Sequence, residues 1–264
     1  MKKIKMFQVD AFTDHVFSGN PAAVCLLDEF LPDEILQHIA AENNLAETAF
    51  VVPSGDDYHI RWFTPLTEVD LCGHATLASA CVLFTYFCPD AKLLVFQSQK
   101  KGALTVARDN NRYLMDFPAD PPQAAEWPEE LIKAMKIRPE SVFKGSSDYL
   151  FVYSSQRQVE LVAPDFRRLA KAQARGIIIT AKGDDEDVDF VSRFFAPQVG
   201  IDEDPVTGSA HTTLTPYWSE MLSKSKFQAR QVSQRGGQLW CEIAGDRVMI
   251  SGQARVFMAG EIYI

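Results

Sequence analysis

Two short segments of the chain place a glycine and small polar residues immediately before a stretch that is typical of a helix. They are Asp70–Thr76, which reads Asp-Leu-Cys-Gly-His-Ala-Thr, and Asp202–Ala210, which reads Asp-Glu-Asp-Pro-Val-Thr-Gly-Ser-Ala. The first backbone N–H groups of a helix have no intrahelical partner and lie at the positive end of its dipole. Such a helix start can bind a carboxylate or another anion. Ordinary N-caps supplied by Thr207, Ser209 or an aspartate are the alternative interpretation.

Glu47 is a third candidate for chemistry. It lies between a predicted helix and a predicted strand, with Leu45, Ala49 and Phe50 close by in the sequence. A carboxyl group among apolar neighbours tends to have a raised pKa and can then transfer a proton near pH 7. Taken alone, a single glutamate is more often a surface charge.

His74 fits three roles: a general acid/base, a proton donor to a ligand, or a buried histidine with an ordinary hydrogen bond. Cys72 is only two residues away, and His15, His38, His59 and His211 form no second pair at ligand spacing. We therefore predict no metal site. The chain has no P-loop, no GxGxxG and no GxSxG motif, so nucleotide, dinucleotide and serine-hydrolase functions have no support in the sequence.

The composition excludes several classes of partner. Lys and Arg number 26 and Asp and Glu number 35 among 264 residues, which gives a net charge of −9. An acidic chain argues against nucleic acid or an anionic membrane as the main partner.

The longest nearly apolar run, Ala75 to Cys88, is too short to span a bilayer. The N-terminal residues begin with charge and no apolar signal segment follows them, and the five cysteines form no CxxC pair, so we expect a cytoplasmic protein with reduced thiols.

The chain contains an internal repeat. A shift of 135 residues aligns the segment that begins at Ser98 with the one that begins at Ser233, and it also aligns Gly73 with Gly208. The predicted elements recur in the same order. In each half, a helix (from Pro32 or Pro164) precedes two strands, an apolar helix (from Gly73 or Gly208) and a hairpin. The first helix is predicted to end near Asn43–Asn44, and the strand after it, Ala49–Val52, is predicted to stop at Pro53. The proline-rich segment 118–122 is the expected link between halves, because clustered prolines cannot continue a strand ladder. This pattern predicts two equivalent α+β halves, each a curved, mostly antiparallel sheet around a central apolar helix.

Six motifs occur together along almost the whole chain. They are Gln8–Thr13, Gly19–Val24, Asn44–Thr48, Phe63–Pro65, Cys72–Thr76 and Asp204–Ala210. In order and spacing they resemble the PhzF family of phenazine-biosynthesis isomerase-like proteins. The resemblance implies the diaminopimelate-epimerase-like fold with the active site in the cleft between the halves, a homodimer, and no cofactor.

The resemblance also implies roles for single residues. Glu47 matches the acid/base that, in the family's best-known reaction, removes a proton from one carbon of a dihydro-hydroxyanthranilate and returns a proton to another carbon on the same face. His74, Asp204 and Ser209 match the other polar active-site positions. Asp204 and His74 would hold polar groups of the substrate and assist proton movement. Ser209 and the N–H groups near Gly73 and Gly208 would hold its carboxylate or stabilise an enolate-like charge.

The same fold houses racemases, whose chemistry needs a base on each face of a carbon. Those enzymes use two cysteines. Here Cys72 stands at the first thiol position, but the segment Asp202–Ala210 has no cysteine at the second, which disfavours racemisation by two thiols. A two-base mechanism that uses Glu47 and Cys72 remains an open alternative. Arg193 and Arg235 are candidates for binding a substrate carboxylate, with structural salt bridges as the alternative.

These observations lead to one set of expectations. The N-terminal half is expected to comprise residues 1–118, joined by a C-terminal strand at about 254–264 that returns to it, and the C-terminal half to comprise residues 119–253. The predicted function is a cofactor-independent isomerase that acts on a small anionic carboxylate, and the alternatives are an epimerase or a non-catalytic binding protein. The predicted catalytic residues are Glu47, His74, Asp204 and Ser209. The predicted substrate-binding residues are Asn20, Cys72, Gly73, Thr207 and Gly208.

Overall fold

A computed structural model describes residues 1–172 and 174–264, and these form a mixed α+β structure. The strands are β1 (Lys3–Ala11), β2 (Asn20–Leu26), β3 (Glu47–Ser54), β4 (Asp57–Phe63), β5 (Glu68–Val69), β6 (Leu93–Ser98), β7 (Gly102–Asp109), β8 (Arg112–Pro118), β9 (Gln123–Ala124), β10 (Ser141–Lys144), β11 (Asp148–Val152), β12 (Gly176–Lys182), β13 (Phe190–Ala196), β14 (Ile201–Asp204), β15 (Lys226–Gln231), β16 (Gly237–Ala244), β17 (Arg247–Gly252) and β18 (Ala254–Tyr263). The helices are α1 (Asp33–Asn43), α2 (Gly73–Tyr86), α3 (Glu129–Met135), α4 (Gln156–Leu161), α5 (Phe166–Leu169) and α6 (Gly208–Leu222), with a 3-10 turn at Pro197–Val199. No helix in the described part of the chain is long and apolar enough to cross a bilayer.

The chain divides into two compact units. The first comprises Met1–Asp116 and Ser251–Ile264, and the second comprises Phe117–Ile250. The C-terminal strand β18 pairs antiparallel with β1 over most of its length, so the end of the chain completes the sheet of the first unit.

The sheet of the first unit is mostly antiparallel. Two of its neighbouring pairs are parallel, β2 with β3 and β4 with β6, whereas β1 with β2, β3 with β4, β6 with β7 and β7 with β8 are antiparallel. Helix α2 lies against β1, β2, β3 and β18. Eleven of its fourteen residues are buried, which agrees with a helix that is apolar on all sides.

The second unit repeats this connectivity. Strands β11 and β12 are parallel, as are β13 and β15, while β10 with β11, β12 with β13, and β15 with β16 are antiparallel. Equivalent turns recur as well. The N–H of Lys101 donates to the Ser98 hydroxyl at 3.4 Å, and the N–H of Gly236 donates to the Ser233 hydroxyl at 3.1 Å. The predicted α+β class and the internal repeat are therefore confirmed in the topology.

Two local predictions need correction. The third strand was expected to stop at Pro53, but β3 continues to Ser54. The strand can continue because its pairing with β2 ends at Val51. Pro53 is paired on one side, with Tyr58 of β4, and the N–H that proline lacks would lie on the other side, where β3 has no partner strand at this position. The helix expected from Pro164 is only the four-residue α5, which is capped by the Asp165 carboxylate.

Candidate functional site

Glu47 and Asn20 lie at one edge of the first unit's sheet. They are the first residues of the parallel neighbours β3 and β2, and parallel pairing brings the N-terminal ends of two strands to the same edge. Both side chains are buried. The turn before Asn20 requires a glycine at position 19. Its φ is +68°, and a Cβ added there would lie 2.2 Å from the Ala11 carbonyl oxygen, so no side chain fits. The backbone thus fixes where Asn20 enters the site.

His74 joins this pair from the first turn of α2. Its Nε2 lies 3.2 Å from Glu47 Oε2, and its Nδ1 lies 3.2 Å from Asn20 Nδ2. Burial lowers the pKa of His74 to about 3, so the ring is neutral at pH 7 and carries one proton. With the Asn20 amide nitrogen as donor, Nδ1 is the acceptor and Nε2 carries the proton, and the 3.2 Å separation of Nε2 from Glu47 Oε2 is a close approach without a hydrogen bond.

Cys72 completes the cluster in the first unit. Its Sγ is 3.4 Å from His74 Nδ1, and one ligand atom each from Glu47, Cys72 and His74 lie within 4.8 Å of one another. Oxygen, sulfur and nitrogen donors at this spacing could hold a metal ion. The sequence analysis predicted these three residues in one site but did not indicate a metal-binding group, because Glu47 is far from the other two residues along the chain.

The two helix starts share one geometry. The residue before α2, Cys72, and the residue before α6, Thr207, are both extended, and neither side chain caps its helix. The alternative that Thr207 is an ordinary side-chain N-cap is therefore excluded. Gly73 is partly buried, Gly208 is buried, and Ser209 is exposed in the first turn of α6. Uncapped first-turn N–H groups are suited to an anionic ligand.

The second unit places Asp204 and Thr207 in one hydrogen-bonded loop. Asp204 ends β14 and is buried, and the Thr207 hydroxyl donates to its carboxylate. The N–H of Thr207 donates to Gln231 Oε1 at 2.9 Å. The ring of His211 donates through Nδ1 to the Thr207 carbonyl at 2.8 Å, and burial lowers the pKa of His211 to about 4. The loop that leads into α6 is thus tied to both the helix and the sheet.

Arg193 forms a structural salt bridge, which favours that alternative over the candidate role in binding a substrate carboxylate. Its guanidinium forms a two-pronged ion pair with Glu203 at 2.7 and 2.9 Å and donates to the carbonyls of Val159 and Val162. Its donors are therefore committed to tying β13 to β14 and to the end of α4. Arg235, the other arginine considered, lies in the turn between β15 and β16.

We predict that Arg193→Met destabilises the protein by about 3 kcal/mol, because the partly buried Glu203 carboxylate and two backbone carbonyls lose their hydrogen-bond donor. Urea unfolding measures the loss. The matched control is Arg230→Met in the same unit, which removes an exposed pair with Asp185 and should cost less than about 1 kcal/mol. Equal effects of the two substitutions would contradict the structural assignment of Arg193.

Sequence reasoning missed two features, of which the repeat could have shown the first and the alternation of one strand the second. Arg61 in β4 holds Glu68 in β5 with the same two-pronged geometry, at 2.7 and 2.9 Å, as Arg193 holds Glu203. Gln231 was also overlooked. It stands at an inward position of β15, where the alternation Phe227, Ala229, Gln231 puts a polar side chain in an apolar row.

The comparisons with known proteins agree with this picture. Residues 9–260 match the family model for the phenazine biosynthesis-like proteins, PhzC-PhzF. The chain belongs to the PhzF family. A Pseudomonas aeruginosa protein described as an uncharacterized isomerase is 48% identical over 262 residues, covering 99% of this chain and 100% of the relative. The crystal structure of a PhzF-family protein from Enterococcus faecalis superimposes with a TM-score of 0.95 at 45% identity, covering all of both chains.

Membership of the PhzF family and the named relatives make this protein an isomerase. A more distant structure, a probable proline racemase from Agrobacterium radiobacter solved with bound carbonate, has a TM-score of 0.66 at 9% identity, covering 99% of this chain and 93% of that one. That likeness concerns the fold alone, and it confirms the predicted epimerase-like architecture.

Proposed function

We propose that this PhzF-family isomerase moves a proton between carbon atoms of a small carboxylate-bearing substrate, with Glu47 as its single acid/base. The observation that carries the proposal is the buried Glu47 carboxyl, 3.2 Å from the Nε2 of a neutral histidine. A neutral His74 can donate a hydrogen bond to the carboxylate, or to charge that develops on the substrate, without neutralising the base as an imidazolium would.

The spacing of Glu47 and Cys72 supports chemistry on one face. Two bases that invert a carbon each approach it to about 3–3.5 Å from opposite faces, so they stand roughly 6–7 Å apart. The oxygen of Glu47 and the sulfur of Cys72 lie within 4.8 Å of each other. This is too close to flank a carbon, and it favours removal and return of the proton by Glu47 alone over two-base epimerisation.

The remaining candidate residues would bind and polarise the substrate. We propose that the uncapped N–H groups at Gly73 and Gly208 take its carboxylate, and that Asn20, Cys72 and Thr207 complete the binding positions. Asp204 and His74 would hold polar groups of the substrate and assist proton movement, and Ser209 would help to hold its carboxylate. The homodimer expected from the resemblance is part of this proposal.

Proton-exchange NMR in D₂O tests the function. The protein is incubated with a panel of small cyclic and unsaturated carboxylic acids, including dihydro-hydroxyanthranilate and several amino acids. Deuterium that enters at a new carbon position supports isomerisation. Deuterium that enters only at a stereocentre, with loss of optical activity, would show epimerisation instead. Acids that bind without exchange would indicate a binding protein.

Cys72→Ala should keep the exchange rate within about tenfold of the wild type, because in this mechanism the thiol transfers no proton and contributes a binding contact at most. The same NMR assay measures it, with Cys88→Ala as the matched control for loss of a thiol outside the cluster. Loss of all exchange in a folded Cys72→Ala protein would restore the two-base mechanism.

A further inference from the structure

Gln231 is buried completely and lies outside every motif that the sequence singled out. It ends β15, where its backbone pairs with Gly237 of β16 and with Ser192 of β13. Its side chain reaches the loop that joins β14 to α6. Oε1 accepts from the Thr207 N–H at 2.9 Å, and Nε2 donates to the Asp204 carbonyl at 2.7 Å and to Thr207 Oγ1 at 3.2 Å.

These contacts fix the orientation of the amide. A backbone N–H can only donate and a backbone carbonyl can only accept, so the oxygen of Gln231 must face Thr207 N–H and its nitrogen must face the Asp204 carbonyl. The second amide hydrogen then points to Thr207 Oγ1. Because that hydroxyl accepts from Gln231, its own proton is directed to another acceptor, and the Asp204 carboxylate is the one within reach.

We propose that Gln231 is a positioning residue, which orients the Thr207 hydroxyl as a donor to Asp204 and so holds that carboxylate ionised in a single orientation. The inference rests on the proposed function, in which Asp204 binds polar groups of the substrate. The first unit has a different arrangement at the equivalent place. Ser98 ends β6 opposite Gly102 as Gln231 ends β15 opposite Gly237, and its hydroxyl accepts from the Lys101 N–H. Cys72 and Val69 stand at the positions of Thr207 and Asp204.

The test measures Asp204 directly and needs no substrate. The full-length protein is labelled with ¹³C at the aspartate Cγ atoms, the Asp204 signal is assigned from its loss in Asp204→Asn, and its titration is followed by NMR. Thr207→Val removes the donor, and Gln231→Met removes the group that orients it. A hydrogen bond to a carboxylate favours the ionised form, so both substitutions should raise the titration midpoint of Asp204 by about one pH unit.

Two substitutions serve as controls. Thr207→Ser keeps the hydroxyl and should restore the wild-type midpoint. Gln228→Met removes an amide three residues away on β15, whose side chain donates to the exposed Asp187, and should leave the midpoint unchanged. Gln231→Asn, in which the amide is one methylene too short for these contacts, should also raise the midpoint, and it replaces Gln231→Met if that variant does not fold.

A wild-type midpoint in folded Gln231→Met or Gln231→Asn, with a raised midpoint in Thr207→Val, would overturn the role of Gln231. An unchanged midpoint in Thr207→Val would overturn the hydroxyl as donor. Neither result depends on whether deuterium exchange is observed, so failure of this inference is distinguishable from failure of the proposed function.

Discussion

Glutamine in place of Glu47 should lower the rate of deuterium exchange into substrate by at least about 100-fold, because it removes the only base in the proposed mechanism. The amide has nearly the shape of the carboxyl, so the protein should fold. Its melting temperature should equal or exceed that of the wild type, since burying a neutral amide costs less than burying a carboxylate beside a neutral histidine.

Two further variants isolate the chemical effect. Glu42→Gln alters an exposed glutamate five positions earlier, at the end of α1, and should exchange at the wild-type rate. Glu47→Asp keeps a carboxylate but withdraws it by one methylene, and a misplacement of about 1 Å can cost about 100-fold. Near-normal exchange by a folded Glu47→Gln protein would contradict the assignment of Glu47 as the base.

Local patterns were enough to predict most elements of the fold. The Pro32–Glu34 signal and the Asn43–Asn44 ending agree with α1, whose last turn closes on Asn44 in the left-handed conformation. The uninterrupted apolar character of the segment after Gly73 predicted a buried central helix, because such a helix has no face suited to water. Pro53 was misjudged because the cost of a proline depends on which side of its strand is paired, and the sequence does not show this.

The candidate site was predictable in its parts but not in its contacts. Glu47, His74 and Asn20 were each found from motifs. Glu47 meets Asn20 because β2 pairs parallel with β3, and His74 reaches them because α2 packs on these strands, and neither long-range contact has a local signal in the sequence. Arg193 shows the converse problem. An arginine that could bind a carboxylate ligand can equally bind a carboxylate of its own chain, and only the position of Glu203 distinguishes the two.

Acidification from pH 6.5 to 5.0 should cost the folded protein about 3 kcal/mol, and two buried histidines account for it. Burial lowers the pKa of His74 to about 3 and that of His211 to about 4, from an ordinary value of 6.5. In this window the unfolded chain binds a proton at each ring and the folded chain does not. The unfolded state therefore binds more protons, and stability falls as the pH drops below 6.5 until the folded-state pKa values are reached.

His211→Asn separates this contribution from the others. Asparagine retains a donor that can reach the Thr207 carbonyl, as His211 Nδ1 does, but it does not titrate. The stability lost between pH 6.5 and 5.0, measured by urea unfolding, should therefore fall to about half of the wild-type loss. His38→Asn, at an exposed position on α1, should leave that loss unchanged. A His211→Asn protein with the full wild-type loss would mean that His211 becomes protonated inside the fold, and that the Thr207 loop can open to admit the proton.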